Sequence, residues 1–126
     1  MELKAPIVLL KKILRGEKVG YGCTYIADSD MEIAIVQLGY ADGLNKKFEI
    51  DGTVFVKDKE YPIVGRISMD LFAINCCNDN LKISDEVTIW GGDCLDSRLE
   101  NISNKHNLLP YVYLTNLSQR VQRIYV

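Results

Sequence analysis

Apolar residues along this chain come in short runs rather than at helical spacing. Ala5 to Leu14 is dense in Ile, Val and Leu, and Arg15-Gly16-Glu17-Lys18 breaks it, which predicts a strand, a turn and a new strand from about Val19. Glu32 to Leu38 is β-branched and largely apolar, and Gly39 with Asp42-Gly43 ends it in turn-forming residues. Thr53 to Val56 and Tyr61 to Ile67, separated by the charged Lys57-Asp58-Lys59-Glu60, predict a hairpin, with Pro62 at the start or edge of its strand. Phe72 to Asn75 and Glu86 to Trp90 add two further strands, the second stopped by Gly91-Gly92-Asp93.

From Ser97 the pattern changes. Leu99, Ile102, Ser103 and His106 fit one face of a short helix ending before Asn107, and a second short helix is expected from Tyr111 to Leu117. Arg120 to Val126 returns to alternation, which predicts a closing strand. Short strands at this spacing with little helix predict a mainly β fold, a small barrel-like domain with one or two short helices near the C-terminus, because closure removes exposed strand edges.

Composition narrows the function classes. The 126 residues, 48% of them hydrophobic, suit a single domain over 1–126 with one core. A net charge of −2 from 15 basic and 17 acidic residues leaves no basic face for a nucleic acid. No apolar run approaches the ~20 residues that cross a bilayer, and the first residues lack a signal-peptide layout, so a soluble cytoplasmic protein is expected. Cys23, Cys76, Cys77 and Cys94 fall in no metal-ligand spacing and read as reduced thiols, so no metal is expected. His106 is the sole histidine, which excludes a Ser-His-Asp triad or a multi-histidine metal centre within the chain; it reads as a solvated residue near a helix end.

Three strings carry candidate chemistry. Val19-Gly20-Tyr21-Gly22-Cys23-Thr24-Tyr25 sets a tyrosine between two glycines, clearing bulk around its phenol. Gly39-Tyr40-Ala41-Asp42-Gly43 matches neither dinucleotide nor Walker pattern and reads by itself as a turn. Pro62-Ile63-Val64-Gly65-Arg66-Ile67-Ser68-Met69-Asp70 puts an arginine and an aspartate near a strand end, where they could hold an anion or form an ion pair.

Together, in this order and spacing, the three strings resemble the C-terminal β-domain of alanine racemases. A terminal Arg120-Val121-Gln122-Arg123-Ile124-Tyr125 extends the resemblance across nearly the whole chain. The resemblance implies an isomerase, an N-terminal α/β barrel outside these residues whose lysine holds pyridoxal 5′-phosphate, and a homodimer in which this domain covers the partner's barrel mouth. It makes Tyr21 the catalytic acid/base that exchanges the α-proton of L-alanine. Met69 approaches the substrate carboxylate through its backbone N–H, and Tyr40 narrows the substrate entrance. Arg66 and Asp70 belong to the entrance corridor, Lys46 or Lys47 stands where a corridor arginine is common, and Gln119 falls at a contact to the cofactor phosphate. Gly20 stands where the family usually has a serine. The product would be D-alanine for peptidoglycan, and the isolated domain would be inactive and without cofactor. Two alternatives stay open: a serine or broad-specificity racemase domain, and a non-catalytic β-module for binding or dimerisation.

Overall fold

The computed structural model describes residues 1–126, apart from the side chain of Tyr21. Six strands close a barrel in the order β1-β4-β7-β6-β5-β8, and β2 and β3 form a separate two-stranded ribbon. The strands are β1 (Glu2–Ile13), β2 (Lys18–Val19), β3 (Tyr25–Ile26), β4 (Met31–Val36), β5 (Thr53–Val56), β6 (Lys59–Val64), β7 (Phe72–Asn75) and β8 (Glu86–Gly91). Two helices follow, α1 (Leu99–His106) and α2 (Pro110–Thr115). The expected small β-barrel with two short C-terminal helices is thus the observed architecture.

β1 closes the barrel because it is long enough to serve two neighbours. Its Glu2–Pro6 stretch pairs with β8 and its Ile7–Ile13 stretch with β4, both antiparallel, with register shifts between Leu3 and Lys4 and between Ile7 and Leu9. Pro6, which has no N–H, sits where one partner gives way to the other. Leu3, Ala5 and Ile7 point into the barrel, where they meet Ala34, Val36, Val54, Ile74, Val87 and Ile89.

A second, smaller core explains why β4 reads as a continuous apolar run instead of an alternation. Ala34 and Val36 fill the barrel, while Ile33 turns outward to join Ile13, Val64 and Ala73 beneath Val19 and Ala27 of the ribbon segment. A strand covered on both faces has no polar side to show. The outer core therefore seats the β2–β3 ribbon against the barrel wall.

The hairpin of β5 and β6 is tighter than its charged tetrapeptide suggests. Val56 pairs with Lys59, so Lys57 and Asp58 form a two-residue turn with φ values of 50° and 64°. Both central residues in the left-handed region match the twist of the flanking strands. Pro62 lies inside β6 rather than at its start, one residue before pairing with β7 begins at Ile63.

Two further expectations need correction. Arg120 to Val126 forms no strand: the barrel is already closed by β1 and β8, so no edge remains for another strand, and Ile124 and Tyr125 are exposed. The Arg123 guanidinium instead donates to the carbonyls of Leu117, Ser118 and Val121. His106 is buried, not solvated. Its Nδ1 lies 2.7 Å from the Tyr113 hydroxyl, and its ring meets Phe48 edge-on at 4.7 Å, joining α1, α2 and the Lys46–Glu49 turn.

Burial holds the His106 pKa below its usual value, and the positive charges of Lys105 and Lys47 add to the effect. The folded state thus binds fewer protons than the unfolded state on acidification. Its contribution to stability is complete above the unfolded value of about 6.5 and is lost as pH falls through that value towards the depressed one. The melting temperature of the parent is expected to drop more between pH 7.5 and pH 5.5 than that of His106→Gln, as thermal denaturation would measure; equal drops would refute the assignment.

Candidate functional site

The three chemistry-bearing strings lie on separate loops; barrel register brings the second and third to one end, and Gly20 packing on Gly65 brings the first to them. β4 and β6 terminate there while β5 and β7 begin, as the pairs Val36–Phe72, Val64–Ala73 and Thr53–Pro62 require. The first string is the link between β2 and β3, the second follows β4, and the third joins β6 to β7.

Backbone contacts at glycines fasten these loops to one another. Gly20 (φ 82°) and Gly65 (φ 77°) pack back to back: a Cβ on Gly20 would lie 2.8 Å from the Arg66 nitrogen, and one on Gly65 2.8 Å from the Val19 carbonyl. Both positions combine left-handed φ with no room for a side chain, so glycine is required on two counts. Here the structure gives a reason for Gly20 that is independent of any substrate. Gly39 is extended, and its need is steric alone, since a Cβ would overlap the Ser68 and Met69 carbonyls. Those carbonyls accept hydrogen bonds from the N–H groups of Tyr40 (3.1 Å) and Ala41 (3.0 Å). The Gly39–Gly43 string is a 3₁₀ turn over Tyr40–Asp42, stapled by the Asp42 carboxylate, which accepts from the Gly39 N–H at 2.8 Å.

The candidate residues then fall into place as follows. Tyr21 opens a 3₁₀ turn, Tyr21–Cys23, at the tip of the ribbon; its side chain lies outside the described residues. Tyr40 is 44% exposed and Met69 52% exposed, and the Ala41 N–H bond to the Met69 carbonyl keeps their backbones close. Arg66 is exposed and runs beside Gly22, lining an open cleft of about 570 Å³ with Thr24, Tyr25 and Glu49. Asp70 pairs with Arg120 at 2.6 Å. Of the two lysines after Tyr40, Lys46 is its neighbour, with Nζ 5.2 Å from the ring centre and 3.8 Å from the Glu49 carboxylate. Gln119 is exposed on the C-terminal segment.

Sequence reading missed two supports. Glu49 accepts the Ile67 N–H at 2.9 Å while it faces Lys46, which couples the second loop to the third. Arg120 bridges Asp42 (3.3 Å) and Asp70 (2.6 Å), and hydrogen bonding to Asp70 with the nearby Asp42 charge raises its pKa further. The signal for Arg120 was present as the first of two arginines in the terminal string and one aspartate in each of two others, Asp42 and Asp70.

Over residues 1–125 the chain matches the family described as alanine racemase, C-terminal domain. An alanine racemase of Rickettsia bellii is 37% identical over 126 residues, 98% of this chain and 30% of the relative. The biosynthetic alanine racemase of Pseudomonas aeruginosa superposes with a TM-score of 0.89 at 30% identity, covering 99% of this chain and 34% of that one. The Bartonella henselae alanine racemase, solved with covalently bound pyridoxal phosphate, gives a TM-score of 0.89 at 31% identity over 98% of this chain and 34% of its own. This chain spans about a third of the length of such relatives.

Pyridoxal phosphate needs an amine for covalent attachment and several donors around its phosphate. The residues here do not form such a cradle. All ten lysines are exposed, and Lys46, beside Tyr40, is engaged with Tyr40 and Glu49. The Arg120 guanidinium is committed to two aspartates, and among the described residues no buried side-chain donor lacks a partner. Among the described residues no helix is long and apolar enough to cross a membrane, no group could hold a metal, and all four cysteines are free.

The loop contacts make Gly39 the sharpest test of this arrangement. Gly39→Ala is expected to cost about 1–3 kcal/mol, the range for forced overpacking, read as a lower urea midpoint. Hydrogen exchange should accelerate at the Tyr40 and Ala41 amides; unchanged stability and exchange would show that the two loops are not held together there.

Proposed function

Because the chain belongs to the alanine racemase C-terminal domain family, we propose that it completes the active site of a racemase for alanine, with Tyr21 as the group that takes or returns the α-proton of L-alanine. Inversion at Cα needs a proton removed from one face and delivered to the other, so a second acid/base group must stand across the substrate. In this reading that group and the pyridoxal phosphate attachment belong to the N-terminal part of the enzyme. The partner is a second copy of the complete enzyme, the compartment is the cytoplasm, and the D-alanine formed serves peptidoglycan.

The observation that carries the reading is the convergence of the three strings at one barrel end, within a chain that matches the family over residues 1–125. Each of this chain's residues then has a task. A phenol titrates near pH 10, so Tyr21 needs positive charge nearby to act as a base at neutral pH. In this reading that charge comes from the N-terminal part of the enzyme, while Arg66 lies beside Gly22 of the Tyr21 turn. Tyr40 presents a rigid ring with a polar tip at the substrate entrance, steadied by Lys46. Met69 offers its backbone N–H to the substrate carboxylate while its carbonyl is occupied by Ala41.

In the complete enzyme, Tyr21→Phe is expected to slow solvent-deuterium exchange at Cα of L-alanine by roughly 10²–10⁴-fold, the usual worth of a positioned acid/base group. Exchange from D-alanine should survive, as mass spectrometry of each enantiomer would show. L-side exchange at the parental rate would overturn the assignment. With this chain alone, pyridoxal phosphate followed by borohydride is expected to leave no single lysine stoichiometrically modified, and peptide mapping that found one would sink the division of labour described above.

A further inference from the structure

Arg120 lies on the C-terminal segment, outside the three strings, yet its guanidinium joins two of them. Its Nε is 3.3 Å from Asp42, two residues after Tyr40, and its Nη2 is 2.6 Å from Asp70, the residue after Met69. Asp42 is 14% exposed at its side chain, and its second oxygen already holds the Gly39 N–H. The segment bearing Arg120 is itself tied down, because the Ser118 N–H donates to the Asp42 carbonyl and Gly43 sits against the backbone of Asn116 and Leu117. On the opposite flank of the same two loops, Glu49 links Lys46 beside Tyr40 to the Ile67 N–H.

We propose that Arg120 is a positioning residue that sets the separation of Tyr40 and Met69, and through it the size of the amino-acid side chain the site admits. This deepens the racemase reading and rests on it. The main-chain hydrogen bonds from Tyr40 and Ala41 to Ser68 and Met69, with the Glu49–Ile67 link, tie the loops elsewhere and leave the Asp42–Asp70 flank free to open. A planar guanidinium that meets carboxylates on both loops closes that flank. A lysine offers one compact charge and cannot span both carboxylates in that geometry.

The test has two arms. In this chain, amide hydrogen exchange at Gly39, Tyr40 and Ala41 is measured for the parent, Arg120→Ala and Arg120→Lys, with Lys4→Ala as a control that removes an ion pair away from these loops, Lys4 with Glu2. Exchange at the three amides should rise roughly two- to fivefold in Arg120→Ala, the range for a partly exposed ion pair, less in Arg120→Lys, and not in Lys4→Ala. In the complete enzyme, Arg120→Ala should raise KM for alanine by a similar factor with kcat nearly unchanged, and lower the preference for alanine over serine in kcat/KM. Unchanged amide exchange overturns the clamp. Faster exchange with an unaltered alanine-to-serine preference overturns its role in specificity. An unsubstituted complete enzyme that racemises neither amino acid overturns the functional reading, while the exchange arm still decides whether Arg120 holds the loops.

Discussion

β1 pairs with β8 through Glu2–Pro6 and with β4 through Ile7–Ile13, and this change of partner within one strand is what turns an open sheet into a barrel. Closure fixes which strand ends are neighbours. With β4, β6 and β7 in adjacent positions, the loop after β4 and the loop between β6 and β7 emerge side by side. Strand pairing thereby brings together residues as far apart in sequence as Tyr40 and Met69 before any side chain has a part in it.

Close packing does the rest. The outer core of Ile13, Ile33, Val64 and Ala73 seats the ribbon that carries Tyr21, and Gly20 against Gly65 fixes where its tip meets the third loop. Gly39 against Met69 does the same for the second and third loops. Charged groups act on the perimeter of these contacts. Arg120 and Glu49 are partly exposed, so they adjust a geometry that the backbone has already made.

Local signals were legible in the sequence because they depend on near neighbours. The β-branched Glu32–Leu38 run, the Gly91-Gly92 stop at the end of β8 and the Leu99–His106 face all gave elements close to where they were expected. Arg120 to Val126 misled because alternation reports which residues could form a strand, not whether an edge is available to receive one. His106 misled for a related reason: its burial comes from Phe48, more than fifty residues away, and from Tyr113 on another helix. The candidate residues were legible as strings, and recognition came from their resemblance to a family. The glycine contacts and the Arg120 bridge join positions distant in sequence, which no local pattern contains.

Closure also decides how this domain can be joined to something larger. A sheet that ends on itself leaves no full edge strand for a stray strand to pair with. The β2–β3 ribbon has only two residues in each strand, too few to template another chain. A barrel of this kind could be joined to a larger domain with little danger of cross-pairing. The barrel acts as an inert mount whose loops can change chemistry without exposing the mount to misassembly.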